Sequence, residues 1–231
     1  AMVASNYNRI SSNVFNTSGY SGFGILIADS SYNNVTGATI VTEGENANCI
    51  RLYNSSHYNI IANSSVRSLQ SHAAYLWSDG TYAPQNNTFY NNLLNGSILA
   101  VNFSGTSMNN TWNTSYKVGT KIYPDGNRIG GNYYTNSSGT GFSDECTDTS
   151  PNDGFCDSPY NVSTNTECVA GSTCANNTDF LAYSNDYEAV PGQEIISECG
   201  VLEMANTVYL LTADVSSPAS CMNITANNVT S

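Results

Sequence analysis

Ser5-Asn6-Tyr7-Asn8-Arg9-Ile10, Ser30-Ser31-Tyr32-Asn33-Asn34-Val35 and Ser55-Ser56-His57-Tyr58-Asn59-Ile60 are three versions of one phrase at steps of 25 residues. A fixed period of that length is the signature of a repeat architecture, in which each unit stacks on the next. The spacing sets Ile10, Val35 and Ile60 in one column, and Ile25, Ile50 and Tyr75 in a second. Looser copies follow at Asn86-Asn87-Thr88 and Asn109-Asn110-Thr111, and a strand-like turn at 127–133 brings the expected number of coils to about six.

Inside each repeat, apolar and polar residues alternate over only three to five positions, as in Gly24-Ile25-Leu26-Ile27 and Cys49-Ile50-Arg51-Leu52. That is strand periodicity. Short strands with Gly, Asn and Ser at every corner, and no helix-length amphipathic run between them, predict a β-solenoid. Stacking sets like residues about 4.8 Å apart, so Asn ladders and aliphatic columns are expected to hold the coils together. A sandwich or propeller would show two-residue hairpin signals, and Asn95-Gly96 is one of few here.

The 231 residues carry six basic and eighteen acidic side chains, a net charge of −12, and only 10% are charged. So little positive charge excludes nucleic acid as a partner. No apolar run approaches a membrane span and the first residues lack signal-peptide character, so any leader or anchor is expected outside this sequence. Seven cysteines without neighbouring histidines argue against zinc. Six cluster in the last third, and nearness suggests the pairs Cys146–Cys156, Cys168–Cys174 and Cys199–Cys221, with Cys49 left as a buried thiol; spacing alone does not fix the connectivity. The acceptor pattern Asn-x-Ser/Thr occurs fourteen times, at Asn16, Asn34, Asn54, Asn63, Asn86, Asn95, Asn102, Asn109, Asn113, Asn136, Asn161, Asn176, Asn223 and Asn228. Chance would give roughly 8 from this composition. Oxidised cysteines and N-linked glycans together point to an extracellular or cell-surface location.

The Asn-Asn-Val/Ile/Thr turns, followed by Gly131-Asn132-Tyr133-Tyr134 and the acidic segment 148–160, resemble the NosD-like, carbohydrate-binding "CASH" β-helix family over roughly residues 1–183. The resemblance implies a right-handed parallel β-helix of a secreted, often archaeal, cell-surface protein. Copper delivery, known for one branch, does not transfer, because the chain has only His57 and His72, four scattered methionines and no soft-ligand cluster. The acidic segment resembles the family's closure, Asp-x-Asn-x-Asp-Gly-x-x-Asp-x-Pro-Tyr, with one inserted residue. Hard oxygen ligands around a turn-forming Gly suit Ca²⁺, with Asp148, Asn152, Asp153 and Asp157 as ligands and Asp179 within possible reach. A solvated acidic loop stapled by Cys146–Cys156 is the alternative.

These readings divide the chain into coils over 1–135, disulfide-rich closing loops with a calcium site over 136–190, and a linker with a terminal β segment over 191–231. The last segment looks like the opening of another β-helix. It suggests a structural, non-enzymatic module of a glycosylated surface filament, in which copies join head to tail as repeats of a longer chain or by strand donation. An intramolecular cap is the alternative. A rival function is a carbohydrate-binding adhesion module, with Tyr75, Trp77, Tyr82, Phe89 and Tyr90 lining one flank and extracellular polysaccharide as the partner. A lyase or hydrolase is the weaker rival. Asp29, Glu43, Glu45 and Asp79 are the only acids in the coils before residue 120 and form no evident pair, and Arg51 and Arg67 would be the lyase bases.

Overall fold

The computed structural model describes residues 1–105, 109–149, 153–163, 167–168, 177–185, 193–196, 199–202, 208–211 and 221–225. The chain forms two compact units, 1–187 and 188–231. The first is a parallel β-helix. Its four complete coils each contribute three short strands: β1 (Met2–Val3), β2 (Arg9–Ser11) and β3 (Val14–Thr17); β4 (Ile25–Ala28), β5 (Asn34–Thr36) and β6 (Thr39–Thr42); β7 (Ile50–Tyr53), β8 (Ile60–Ala62) and β9 (Ser65–Ser68); and β10 (Ala74–Trp77), β11 (Thr88–Tyr90) and β12 (Leu93–Gly96). Strands of successive coils pair in parallel to build sheet A from β1, β4, β7 and β10, sheet B from β2, β5, β8 and β11, and sheet C from β3, β6, β9 and β12.

A fifth coil is interrupted, which is why the stack has about four turns rather than six. β13 (Val101–Gly105) extends sheet A, and Thr111 bridges to Thr88 beside sheet B. An antiparallel excursion, β14 (Lys117–Val118) with β15 (Arg128–Ile129), comes before β16 (Tyr133–Thr135) rejoins sheet C. The short helix α1 (Phe142–Glu145) follows, then β17 (Tyr160–Asn161), β18 (Glu167–Cys168) against β13, and β19 (Thr178–Asp179) antiparallel to β17.

The observed register corrects the expected columns. Ile10 and Val35 align with Ile61, not Ile60, and Ile25 and Ile50 align with Ala74, not Tyr75. The turn between β7 and β8 holds one residue more than its counterpart between β4 and β5, and the turn before β10 holds two fewer than the turn before β7. A shift of one along a strand turns a side chain to the opposite face. Ile60 is accordingly 38% exposed while Ile61 is buried. Inside, Val35, Ile61, Phe89 and Trp112 run down the sheet B side, with the last two rings stacked at 4.5 Å. Each such side chain contributes roughly 1.5–3 kcal/mol by burial.

The corners are held by side-chain amides. Asn33 Oδ1 accepts from both the backbone N–H and Nδ2 of Asn8; Asn59 does the same for Asn33, Asn87 for Asn59, and Asn110 for Asn87, at 2.8–3.0 Å. Asn177 accepts from Asn110 N–H and from the Trp112 indole, closing this ladder. A second ladder runs from the Ala38 N–H through Ser64, Asn92 and Asn132 to Asp179. The residues before Asn8, Asn33, Asn59 and Asn87 (Tyr7, Tyr32, Tyr58 and Asn86) lie in the left-handed region, as do those before Ala38, Ser64 and Asn92 (Gly37, Asn63 and Asn91) at the other corner.

In the second unit, β20 (Gln193–Ile196) pairs in parallel with β22 (Val208–Leu211), and β21 (Gly200–Leu202) with β23 (Met222–Ile224). Cys199 and Cys221 precede the paired Gly200 and Met222 and are joined by a disulfide. Cys146 is joined to Cys156, and Cys49 is a free, buried thiol beside Thr42 that burial pushes up to about 11. Cys168 ends β18, and its expected partner Cys174 lies outside the described residues.

Asn87 accepts two hydrogen bonds and donates to Ser56 O and Asn110 Oδ1, all in the interior. Asn87→Ala is therefore expected to destabilise by about 3 kcal/mol or more, whereas Asn109→Ala, at an exposed position, stays within about 0.5 kcal/mol. Denaturant midpoints of the two variants check the contrast.

Candidate functional site

Side chains on sheet A alternate inward and outward, so Ile50, Leu52, Ala74 and Leu76 fill the core and their neighbours line the outer face. Register sets Leu26, Arg51, Tyr75 and Asn102 in one outward column and Ala28, Tyr53, Trp77 and Ser104 in the next. The Tyr53 and Trp77 rings stack at 4.3 Å, within 2° of parallel. The column continues beyond them on either side with the short side chains of Ala28 and Ser104.

Arg51 reaches among three rings, its guanidinium carbon 4.8 Å from the centre of Phe23, 5.2 Å from Tyr75 and 5.7 Å from Tyr53. Its Nε is buried without a hydrogen-bond partner. Beside it opens a cleft of about 270 Å³ lined by Arg51, Tyr75, Asn46, Asn48, Ser71, His72, Asn102 and Ser21, with no carboxylate among them. Ser71 Oγ donates to Asn48 Oδ1 at 2.9 Å, and the Asn102 amide meets His72 Nε2 at 3.2 Å. Amides, hydroxyls and a guanidinium next to a flat aromatic pair can hydrogen-bond sugar hydroxyls while a ring face takes a pyranose.

Of the aromatic flank expected from sequence, only Tyr75 and Trp77 share this face. Phe89 is a core ring stacked on Trp112, Tyr90 lies beneath the Lys117 ammonium at 5.2 Å, and Tyr82 is 56% exposed in the turn that Asp79 caps. Tyr53 was missed, though its step of 24 to Trp77 could have revealed it. Asp29, Glu43, Glu45 and Asp79 are exposed and none lines the cleft. Arg67 stands on the outer face of sheet C, paired with Val41 and Asn95.

The closing acids are distributed rather than gathered. Asp148 accepts from the Asp153 and Gly154 backbone N–H groups and from Ser184 Oγ, and Asp153 accepts from the Phe155 N–H. Asp157 accepts from Thr149 N–H and Oγ1. Asp179 is enclosed at the end of the second ladder, where its Oδ2 accepts from Asn132 N–H and from Tyr134 O–H, both at 2.9 Å, and its Oδ1 from Leu181 N–H. Gly131 permits this approach, since a Cβ there would lie 2.2 Å from Asp179 Oδ1. Asn152 falls outside the described residues. Among those described, no three His, Cys, Asp or Glu side chains come together as metal ligands.

The expected glycan acceptors also differ in access. Asn16, Asn86, Asn109, Asn161 and Asn223 are exposed, and Asn34, Asn54, Asn63, Asn95, Asn113 and Asn136 are half-buried. Asn102 is buried with its amide against His72. Asn176 and Asn228 lie outside the described residues.

Residues 1–139, more than half of the chain, match the family described as periplasmic copper-binding protein (NosD). The chain belongs to the NosD family. No curated protein and no solved structure matches it. The ligand set does not fit the copper of the family's description: His57 and His72 precede β8 and β10 in different coils, and no cluster of metal-binding side chains surrounds either among the described residues. No helix among the described residues is long and apolar enough to cross a membrane.

Burial pushes the Asp179 carboxyl up to about 7 against the four hydrogen bonds it accepts. With the folded value above that of the unfolded chain, the contribution is full below about pH 4 and is lost as pH rises toward 7. Thermal unfolding across that window is expected to show stability falling with pH, and Asp179→Asn to flatten that fall.

Proposed function

We propose that this NosD-family β-helix is a rigid, non-catalytic extracytoplasmic scaffold that binds polysaccharide on the outer face of sheet A. The observation that carries the reading is the parallel Tyr53–Trp77 pair beside a polar cleft, both mounted on adjacent strands of a stacked coil. Sites on strands hold their geometry better than sites on loops, so flat rings and fixed amides suit a ligand of stiff, hydroxylated rings. The family's periplasmic description and the two disulfides support a location outside the cytoplasm. An array of neutral and acidic oligosaccharides tests the binding. Trp77→Ala is expected to weaken it about tenfold while leaving the unfolding temperature within a few degrees, and failure of the unaltered protein to bind any array member would end the reading.

Head-to-tail assembly is a second reading, favoured by the second unit, whose parallel pairs β20–β22 and β21–β23 repeat the strand stacking of the coils. An exposed parallel edge recruits further strands. Electron micrographs of the native material are expected to show chains of end-joined rods, their exposed Asn acceptors carrying glycans; monomeric rods at high concentration would refute the assembly.

A further inference from the structure

We propose that the cleft on sheet A selects acidic sugars, seating a uronate with its carboxylate on Arg51 and a neighbouring pyranose on the Tyr53–Trp77 pair. The inference rests on the sugar-binding reading above and adds the charge of the ligand. Its basis is the state of Arg51. The guanidinium has rings of Phe23, Tyr75 and Tyr53 around it at 4.8–5.7 Å, an enclosed Nε with no acceptor, and cleft neighbours that bring no carboxylate. Rings attract the faces of a guanidinium but accept no hydrogen bonds in its plane, where its five N–H donors lie. A planar carboxylate fills that deficit with paired, charge-assisted bonds, which a neutral hydroxyl cannot match.

Charge elsewhere sharpens the point. The chain has six basic residues and a net charge of −12, so its overall field does not draw anions toward it. Recognition of an acidic polymer therefore has to come from local contact, and Arg51 is the cation that the cleft supplies. Asn46, Asn48, Ser71 and Asn102 add donors and acceptors for hydroxyls without adding opposing charge.

Titration calorimetry with an oligogalacturonate of about four residues, and with its methyl ester, separates charge from ring recognition. The unaltered protein is expected to prefer the acid form by about tenfold or more, the factor that one charge-assisted pair typically gives. Arg51→Gln is expected to abolish the preference, bringing acid and ester to similar affinity, whereas Trp77→Ala weakens both alike and keeps the preference. Arg51→Lys keeps the charge and the stem but loses the planar fork, and is expected to reduce the preference severalfold. Equal affinity for acid and ester in the unaltered protein, or a preference undiminished in both Arg51 variants, overturns the selectivity while leaving a sugar-binding face intact. Absence of binding to either form, together with a blank array, overturns both.

Discussion

The structure depends on one hydrogen-bond arrangement repeated at the corners: an asparagine amide oxygen that accepts from the backbone N–H and the Nδ2 of its counterpart in the preceding coil. A corner leaves backbone groups that no sheet ladder satisfies, and in the interior each unsatisfied group costs about 1–3 kcal/mol. The ladder meets that demand with side chains alone and fixes the vertical register. It also maintains left-handed residues before the ladder positions of the complete coils, Tyr7, Tyr32 and Tyr58 among them, a conformation that L residues enter at roughly 1–2 kcal/mol. Those three tyrosines then stack on the outside at 5.1 Å because the ladder has already placed them one above another.

With corners and core fixed this way, the outward positions of the strands are free of structural duty. On sheet A they hold rings, amides and an arginine, and on a stacked parallel sheet their spacing along the helix is set by the coils rather than by the side chains themselves. This is why Trp77 forms a site with Tyr53 and Arg51 although it follows them by 24 and 26 residues in sequence. The same logic separates Phe89 from that site: it occupies an inward position in sheet B, where a large ring fills volume.

The fold was legible because the ladder writes itself into the sequence as Asn-Asn before a β-branched residue, a pattern few other architectures require. The columns were less legible. A constant step of 25 assigns Ile60 and Tyr75 to the core, whereas one added residue in one turn and two removed in another pass those places to Ile61 and Ala74. Period counting cannot see compensating turn lengths, and every slip of one inverts a strand. The acidic segment was legible as a dense cluster of carboxylates, whereas the groups that engage them, Gly154 and Ser184 on Asp148, Thr149 on Asp157 and Asn132 on Asp179, are set by the folded closure and not by spacing.

Asp179 has a structural duty of its own at the end of a ladder. Each amide in a ladder presents its oxygen toward the coil before it and so needs an acceptor from the coil after it. Asn177 ends the first ladder with its oxygen shared between Asn110 and the Trp112 indole, and Asp179, two residues later, ends the second. The Asp179 oxygens suit the position because they accept from Asn132, Tyr134 and Leu181 together. That arrangement buries an ionisable group, so the closure that completes the ladders is also a place where the coil stack feels pH.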